Sequence, residues 1–289
     1  MINFAIPGLD NHFHIFQQLI QIKKDFPYMF YEDININAFY GNFHYCIWDG
    51  GRVFHAYHQK TSNEVYEISN FLKNNGISLR LIFTNPVVEK KHLDDRFCNL
   101  VAEMCEHENN EIVINSPLLE DYLRNKYPKY GFISSTTKCN NKDSSFEELN
   151  KNYKYICLDY NLNKNYNFLE SIPKEQRNKI EFLVNAICPP GCPNRKRHYD
   201  LNGYSHLNLV KQYSIDCGIK ENTLAATTIN FKNNIQINEI YNYYINEGYN
   251  NFKIESRSLP DFELVGNFAR YLIKSEHQFH FMSLFFAHF

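Results

Sequence analysis

Short apolar runs alternate with longer stretches of helical spacing along most of the chain. The runs fall at 4–6, 36–40, 79–83, 112–114, 131–133, 155–158, 180–184 and 252–254. Each is brief and rich in branched or aromatic residues. That suits strands of a parallel sheet with both faces buried. Between them the spacing predicts helices over 12–24, 62–75, 89–108, 117–125, 146–150, 168–178, 237–247 and 260–272. Ser62 is the expected N-cap of the second helix, and Gly76 its stop. Pro117 suits the first turn of the fourth. The third carries a stripe of Leu93, Phe97, Leu100 and Met104.

Eight strand–helix pairs in 289 residues match an α/β fold, the (β/α)8 TIM-like barrel. A doubly wound open sheet is the competing architecture. No Gly-x-Gly-x-x-Gly follows the first strand, so a dinucleotide fold has no direct support. The chain reads as one barrel domain, 1–289. One segment breaks the rhythm. Residues 186–235, about fifty, separate the seventh strand from its helix, far more than an ordinary βα connection. In a barrel this insertion lies at the C-terminal face of the strands, where active sites are built.

Composition narrows the classes. At 44% hydrophobic the chain can build a core, and a net charge of −2 supplies no global field for nucleic acid. Nucleic acid is therefore an unlikely partner. No run approaches the ~20 apolar residues of a membrane span. The start, Met1-Ile2-Asn3-Phe4, lacks a basic leader pattern, so a cytoplasmic protein with no membrane association is expected. Its eight cysteines are then thiols or metal ligands, not disulfides.

Three cysteines lie in the long insertion. Cys188-Pro189-Pro190-Gly191-Cys192 is a rigid turn that can aim two thiolates at one metal, and Cys217 follows within the same segment. Such a set suits an iron–sulfur centre or, alternatively, a structural zinc. Cys46, just past the second strand, is the candidate fourth ligand, with Cys139 in reserve. Cys98 and Cys105, seven apart on one helix, belong to a core stripe, and Cys157 sits inside the sixth strand.

The strand ends supply a second constellation. Asn115 and Ser116 end the fourth strand, Thr136 follows the fifth, Asp159 the sixth, Asn185 the seventh, and Glu255 and Arg257 the eighth. Around one mouth, Glu255, Arg257 and Asp159 are the catalytic candidates, and Asn115, Ser116, Thr136 and Asn185 the substrate-binding ones. Glu255 and Arg257 can bind an anionic group or close the barrel as an ion pair. Asp10, His12 and His14 resemble part of a metal site. Arg195-Lys196-Arg197-His198 reads as a solvated surface or an anion-binding edge. There is no Gly-x-Ser-x-Gly elbow and no His-Glu-x-x-His helix.

Three phrases carry a family resemblance. Phe252-Lys253-Ile254-Glu255-Ser256-Arg257 resembles the Phe/Leu-Lys-Ile-Glu-Gly-Arg phrase of the collagenase-like U32 peptidase family, with Ser256 in place of the glycine. Phe182-Leu183-Val184-Asn185-Ala186-Ile187-Cys188 resembles that family's strand leading into its first cysteine. The loop bearing Cys46 resembles one in the members serving oxygen-independent ubiquinone hydroxylation. The resemblance implies a barrel and, in several members, a 4Fe–4S cluster, here on Cys188, Cys192, Cys217 and Cys46. It implies hydroxylation or redox-type modification of a small-molecule or nucleotide substrate. It also implies two alternatives: a non-catalytic member of a homologous subunit pair, stapled by zinc or a cluster, and a peptidase. The aromatic end, 280–289, is expected to pack under the barrel or to join two copies.

Overall fold

The computed structural model describes residues 1–9, 11–55, 58–211, 231–255, 257 and 259–286. Eight parallel strands close into a barrel in chain order. They are β1 (Ile2–Pro7), β2 (Ile34–Gly41), β3 (Ser78–Phe83), β4 (Glu111–Ile114), β5 (Gly131–Ser134), β6 (Tyr155–Cys157), β7 (Ile180–Leu183) and β8 (Asn251–Lys253). Closure comes from β1 against β8, with Phe4 opposite Phe252 and Ala5 opposite Lys253. The expected barrel is observed, and every predicted apolar run falls on a strand.

Alternation along the strands makes two cores. Ala5, Ala38, Ile82, Val113, Ile133, Cys157 and Leu183 fill the barrel interior. Phe4, Phe39, Leu81, Ile112, Phe132, Phe182 and Phe252 face the surrounding helices. Burial on both sides is why the strands read as unbroken apolar runs.

The N-terminal end of the barrel is plugged by polar groups. Arg80 Nε donates to Glu111 Oε2 at 2.9 Å, and its Nη1 pairs with Glu181. Ser78 Oγ and Lys154 Nζ also reach the Glu111 carboxylate, both at 2.7 Å. Asn35, Asn3 and Asn251 continue the plug as a chain of amide hydrogen bonds, each 3.0 Å. A buried guanidinium is tolerated there because two carboxylates surround it.

The helices differ from the sequence pattern in instructive ways. α1 is Phe13–Asp25, and α2 is Ser62–Asn74. The cap of α2 is Thr61, not Ser62: Glu64 N donates to Thr61 Oγ1 and Thr61 N to Glu64 Oε2, a reciprocal capping box. α3 is only Arg96–Met104, capped by Asp95. Its buried face is Cys98, Val101 and Ala102, while Leu100 of the expected stripe is 41% exposed. α4 (Pro117–Lys126) begins on its proline. α5 is Lys142–Leu149 and α6 Tyr166–Ser171. The single helix expected over 168–178 is divided, because Pro173 separates α6 from a 3-10 segment, Lys174–Lys179.

α7 (Arg195–Asn208) lies in the segment expected to be loop. α8 (Ile237–Glu239) runs into a π-helical turn, Ile240–Tyr244. α9 (Asp261–Leu272) follows, then α10 (Gln278–Phe286). α10 buries Phe281 and Phe285, and Phe281 meets Phe30 edge-on at 6.0 Å. Gln18 Nε2 of α1 donates to Leu284 O at 2.9 Å. The aromatic end therefore packs onto the barrel's outer layer.

Candidate active site at the barrel mouth

The C-terminal ends of the strands surround a cavity of about 60 Å3 whose lining includes Tyr40, Thr136, Tyr160, Cys188, Tyr199, Lys253 and Glu255. A second cavity of about 400 Å3 lies beside it, lined by His12, Phe43, His44, Asp49, Phe54, His206 and Leu259 among others. Arg52 and Arg257 line both.

The loop after β2 builds their shared wall. Asp49 and Arg52 reach across to the end of β8. Arg52 forms an ion pair with Glu255, and Arg257 Nη1 lies 3.3 Å from both Asp49 oxygens. Glu255 Oε2 also accepts from Ile187 N at 3.0 Å. Of the two roles open to Glu255 and Arg257, a mutual ion pair is not formed; each pairs instead with a residue of a different loop. Gly50 allows the approach, because a Cβ there would sit 2.8 Å from Thr84 O and 2.9 Å from Asn85 Cα.

Asn85 ties the loop after β2 to α7. Its Nδ2 donates to Ile47 O at 2.8 Å and to Gly203 O of α7 at 3.0 Å. A Cβ on Gly203 would fall 2.5 Å from Asn85 Oδ1, so the helix can approach this closely only with glycine there.

α7 covers the mouth with a polar face. Arg195, its first residue, is 5% exposed and grips Asp159 through both Nη atoms. Arg195 Nε also donates to Cys139 Sγ at 3.1 Å, and Nη2 to Thr136 O at 3.2 Å. Its guanidinium stacks 4.4 Å from the Tyr160 ring centroid. Neither expectation for Arg195 holds, since the side chain is an internal anchor. His206, near the other end of α7, sets Nε2 at 3.1 Å from Arg52 O, while its Nδ1 is buried without a partner. Burial lowers the His206 pKa and pulls that of His44 down to about 4.

The candidates named from sequence fall into three sets. Glu255, Arg257 and Thr136 line the mouth. Asp159 lies beneath Arg195, and Asn185 braces the strand end: Glu255 N donates to its Oδ1 at 2.7 Å, and its Nδ2 donates to Glu255 O at 2.8 Å. Asn115 donates to Thr137 Oγ1 at 2.8 Å, and Ser116 caps α4. These last two are not among the cavity-lining residues.

The cysteines separate in the same way. Cys188 lines the small cavity and packs against the inner core. Cys192 closes the same turn, helped by Gly191 at φ +70°. Cys46 sits elsewhere, in the outer core, with its Sγ 3.0 Å from Cys98 Sγ. Cys217 lies outside the described residues. Among the described residues no three His, Cys, Asp or Glu side chains converge as a metal site. The described residues thus offer a four-thiolate cluster two thiols on one turn. Asp10 also lies outside the described residues; His12 Nδ1 and His14 Nε2 instead meet Asp261, at 2.7 and 3.4 Å.

Arg52 and Lys253 are among the mouth residues not singled out from sequence as site residues. Lys253 is the more deeply placed of the two by strand position, since Arg52 comes from a loop. It ends β8, is 7% exposed, and holds Nζ 4.0 Å from the Tyr40 ring centroid. A lysine inside an apolar strand run was the available signal.

The fold is similar to that of a solved structure described as the U32 peptidase Mk0906. The TM-score is 0.52, with 16% identity, and the match covers 90% of this chain and 95% of that one. At that identity the likeness shows a shared barrel fold. No protein-family model and no curated protein matches the chain. Among the described residues no helix is long and apolar enough to cross a membrane.

Proposed function

We propose that this chain is a U32-like barrel enzyme that binds a small anionic molecule at the C-terminal mouth and modifies it there. One observation carries the reading. The wall between the two cavities holds the guanidinium groups of Arg52 and Arg257, and there Arg52 Nε, like Thr136 Oγ1 in the small cavity, is buried with no hydrogen-bond partner. Buried polar atoms left unpaired are costly, and an entering carboxylate or phosphate relieves Arg52 Nε directly. Glu255 stands at the same wall as the candidate proton acceptor. Arg257 orients the anion, and Asp159 acts at one remove by fixing Arg195 and hence α7.

The test is ligand-induced stabilisation, with thermal unfolding followed against small carboxylates, 2-oxo acids, nucleotides and peptides. A small anion should raise stability by about 2.7 kcal/mol at a hundredfold excess over its Kd. Thr136→Val and Arg257→Lys should each weaken that effect. Cleavage of casein or gelatin by rigorously protease-free protein, with no small anion stabilising it, would sink the reading in favour of a peptidase.

The resemblance motivates a second proposal: a metal centre held by Cys188, Cys192 and Cys217, serving hydroxylation or redox-type modification. Its test is metal analysis after anaerobic purification. About four irons with four sulfides per chain supports a cluster. About one zinc supports a structural staple.

A further inference from the structure

Lys253 occupies a position that the ion pairs of the barrel leave uncompensated. It faces inward from β8, level with Ala5 and Leu183 of the neighbouring strands. The two inward carboxylates nearest it along the barrel axis are already engaged. Glu181 is held by Arg80 through Oε1, with Oε2 buried and outside hydrogen-bond reach of any donor, Lys253 included, and Glu255 is held by Arg52. Among the described residues no carboxylate lies within ion-pair distance of its Nζ, which stands over the Tyr40 ring. A buried ammonium without a counterion is strongly disfavoured, so this site favours the neutral, nucleophilic amine. Burial accordingly lowers the Lys253 pKa from its ordinary value; Cys157 and Glu181 oppose that, and Arg80 and Arg257 add to it.

The amine is accessible from the mouth. Lys253 lines the small cavity together with Tyr160, Cys188, Thr136 and Arg52. Its volume of about 60 Å3 has room for a few water-sized groups, the scale of a two- or three-carbon acid.

We propose that Lys253 is a catalytic nucleophile whose Nζ condenses with the carbonyl carbon of a small anionic aldehyde or 2-oxo acid held by Arg52 and Arg257. The Nζ lone pair forms the new C–N bond, and the carbonyl π pair moves onto oxygen. That oxygen takes one proton from the amine and a second from solvent, and leaves as water. The product is a protonated imine on Lys253; nothing is oxidised or reduced. The proposal rests on reading the mouth as a small-anion site and names its substrate class.

The experiment uses the full chain with glyoxylate or pyruvate as probe and cyanoborohydride to trap the imine. Intact mass and peptide mapping then locate the adduct. Lys253 should gain one carboxymethyl or carboxyethyl group faster than any other lysine, because burial without a counterion favours its neutral amine. Oxalate, an anion with no reactive carbonyl, should protect it. Lys253→Met, whose melting temperature reports its folding, should lose the fast adduct, and Lys253→Arg provides a second check. Adducts spread evenly over the lysines would overturn the proposal. If oxalate raises the melting temperature of the natural chain but Lys253 stays unmodified, the imine falls and the anion site stands. If neither occurs, both fall.

Discussion

Arg195 and Asp159 form a two-pronged, buried ion pair that joins the first turn of α7 to the end of β6, with Nη1 3.1 Å from Oδ1 and Nη2 closing on Oδ2. The pair sits under the barrel mouth, and through it the covering helix is registered on the strands. An unpaired carboxylate left in that place would be expensive. Arg195→Ala should therefore destabilise the protein by about 3–5 kcal/mol, measured by urea unfolding. Arg195→Lys should fall between, since it keeps the charge but not the fork. A loss below about 1 kcal/mol would mean that this pair does not anchor α7.

Among the described residues thiol reactivity should follow burial. Burial pushes the thiols of Cys105 and Cys157 up to about 12, and raises that of Cys98, which also faces Cys46. Under native conditions near pH 8, iodoacetamide followed by peptide mapping should find Cys188 and Cys192 modified first. Cys46, Cys98, Cys105 and Cys157 should react only after denaturant is added. Early modification of Cys46 would contradict its placement against Cys98.

Acid should weaken the fold through half-buried His44 and buried His206. The folded pKa of His44 is about 4, below its ordinary 6.5, and burial is the main cause. Between these values the unfolded chain binds the proton that the folded chain refuses. Stability is thus present in full above pH 6.5 and declines as pH falls toward 4. His206 shifts in the same direction. His44→Asn should flatten the pH dependence of the urea midpoint across this window, and an unchanged slope would reject the shift.

The plug at the opposite end should respond to lower pH. Burial alone would raise the Glu111 pKa, but Arg80 and Lys154 outweigh it and hold the carboxyl below its ordinary 4.5. The stability it contributes is present above pH 4.5 and is lost as pH falls through the lower folded value. Glu111→Gln should remove that part of the acid transition. Arg80→Met leaves Glu181 without its cation and Glu111 with Lys154 alone, and should cost about 3–5 kcal/mol, seen in the same denaturant titration.

The strands were legible because a parallel barrel buries both faces, so each strand appears as a compact apolar run. α7 was not legible. Its buried face is Arg195, Tyr199, Asn202, Gly203, Ser205 and His206, largely polar groups rather than an apolar stripe. Periodicity of hydrophobic positions cannot register such a helix. The shortened α3 and the divided 168–178 segment reflect local chemistry, an Asp95 cap and Pro173, that overrides the apolar spacing.

Sequence by itself determined the fold class, the order of eight strands, and the appearance of Glu255, Arg257 and Thr136 at the barrel mouth. Strand period and chain order are local properties; eight strand–helix pairs favour a barrel over an open sheet, and the β1–β8 pairing completes it. Only the tertiary structure decided which charge meets which. Asp49 and Arg52 come from a loop some two hundred residues away from Glu255 and Arg257, yet they complete both pairs. It also placed Cys46 against Cys98 and left Lys253 with no carboxylate among the described residues. Such pairings depend on distances across the closed barrel, which no spacing along the chain encodes.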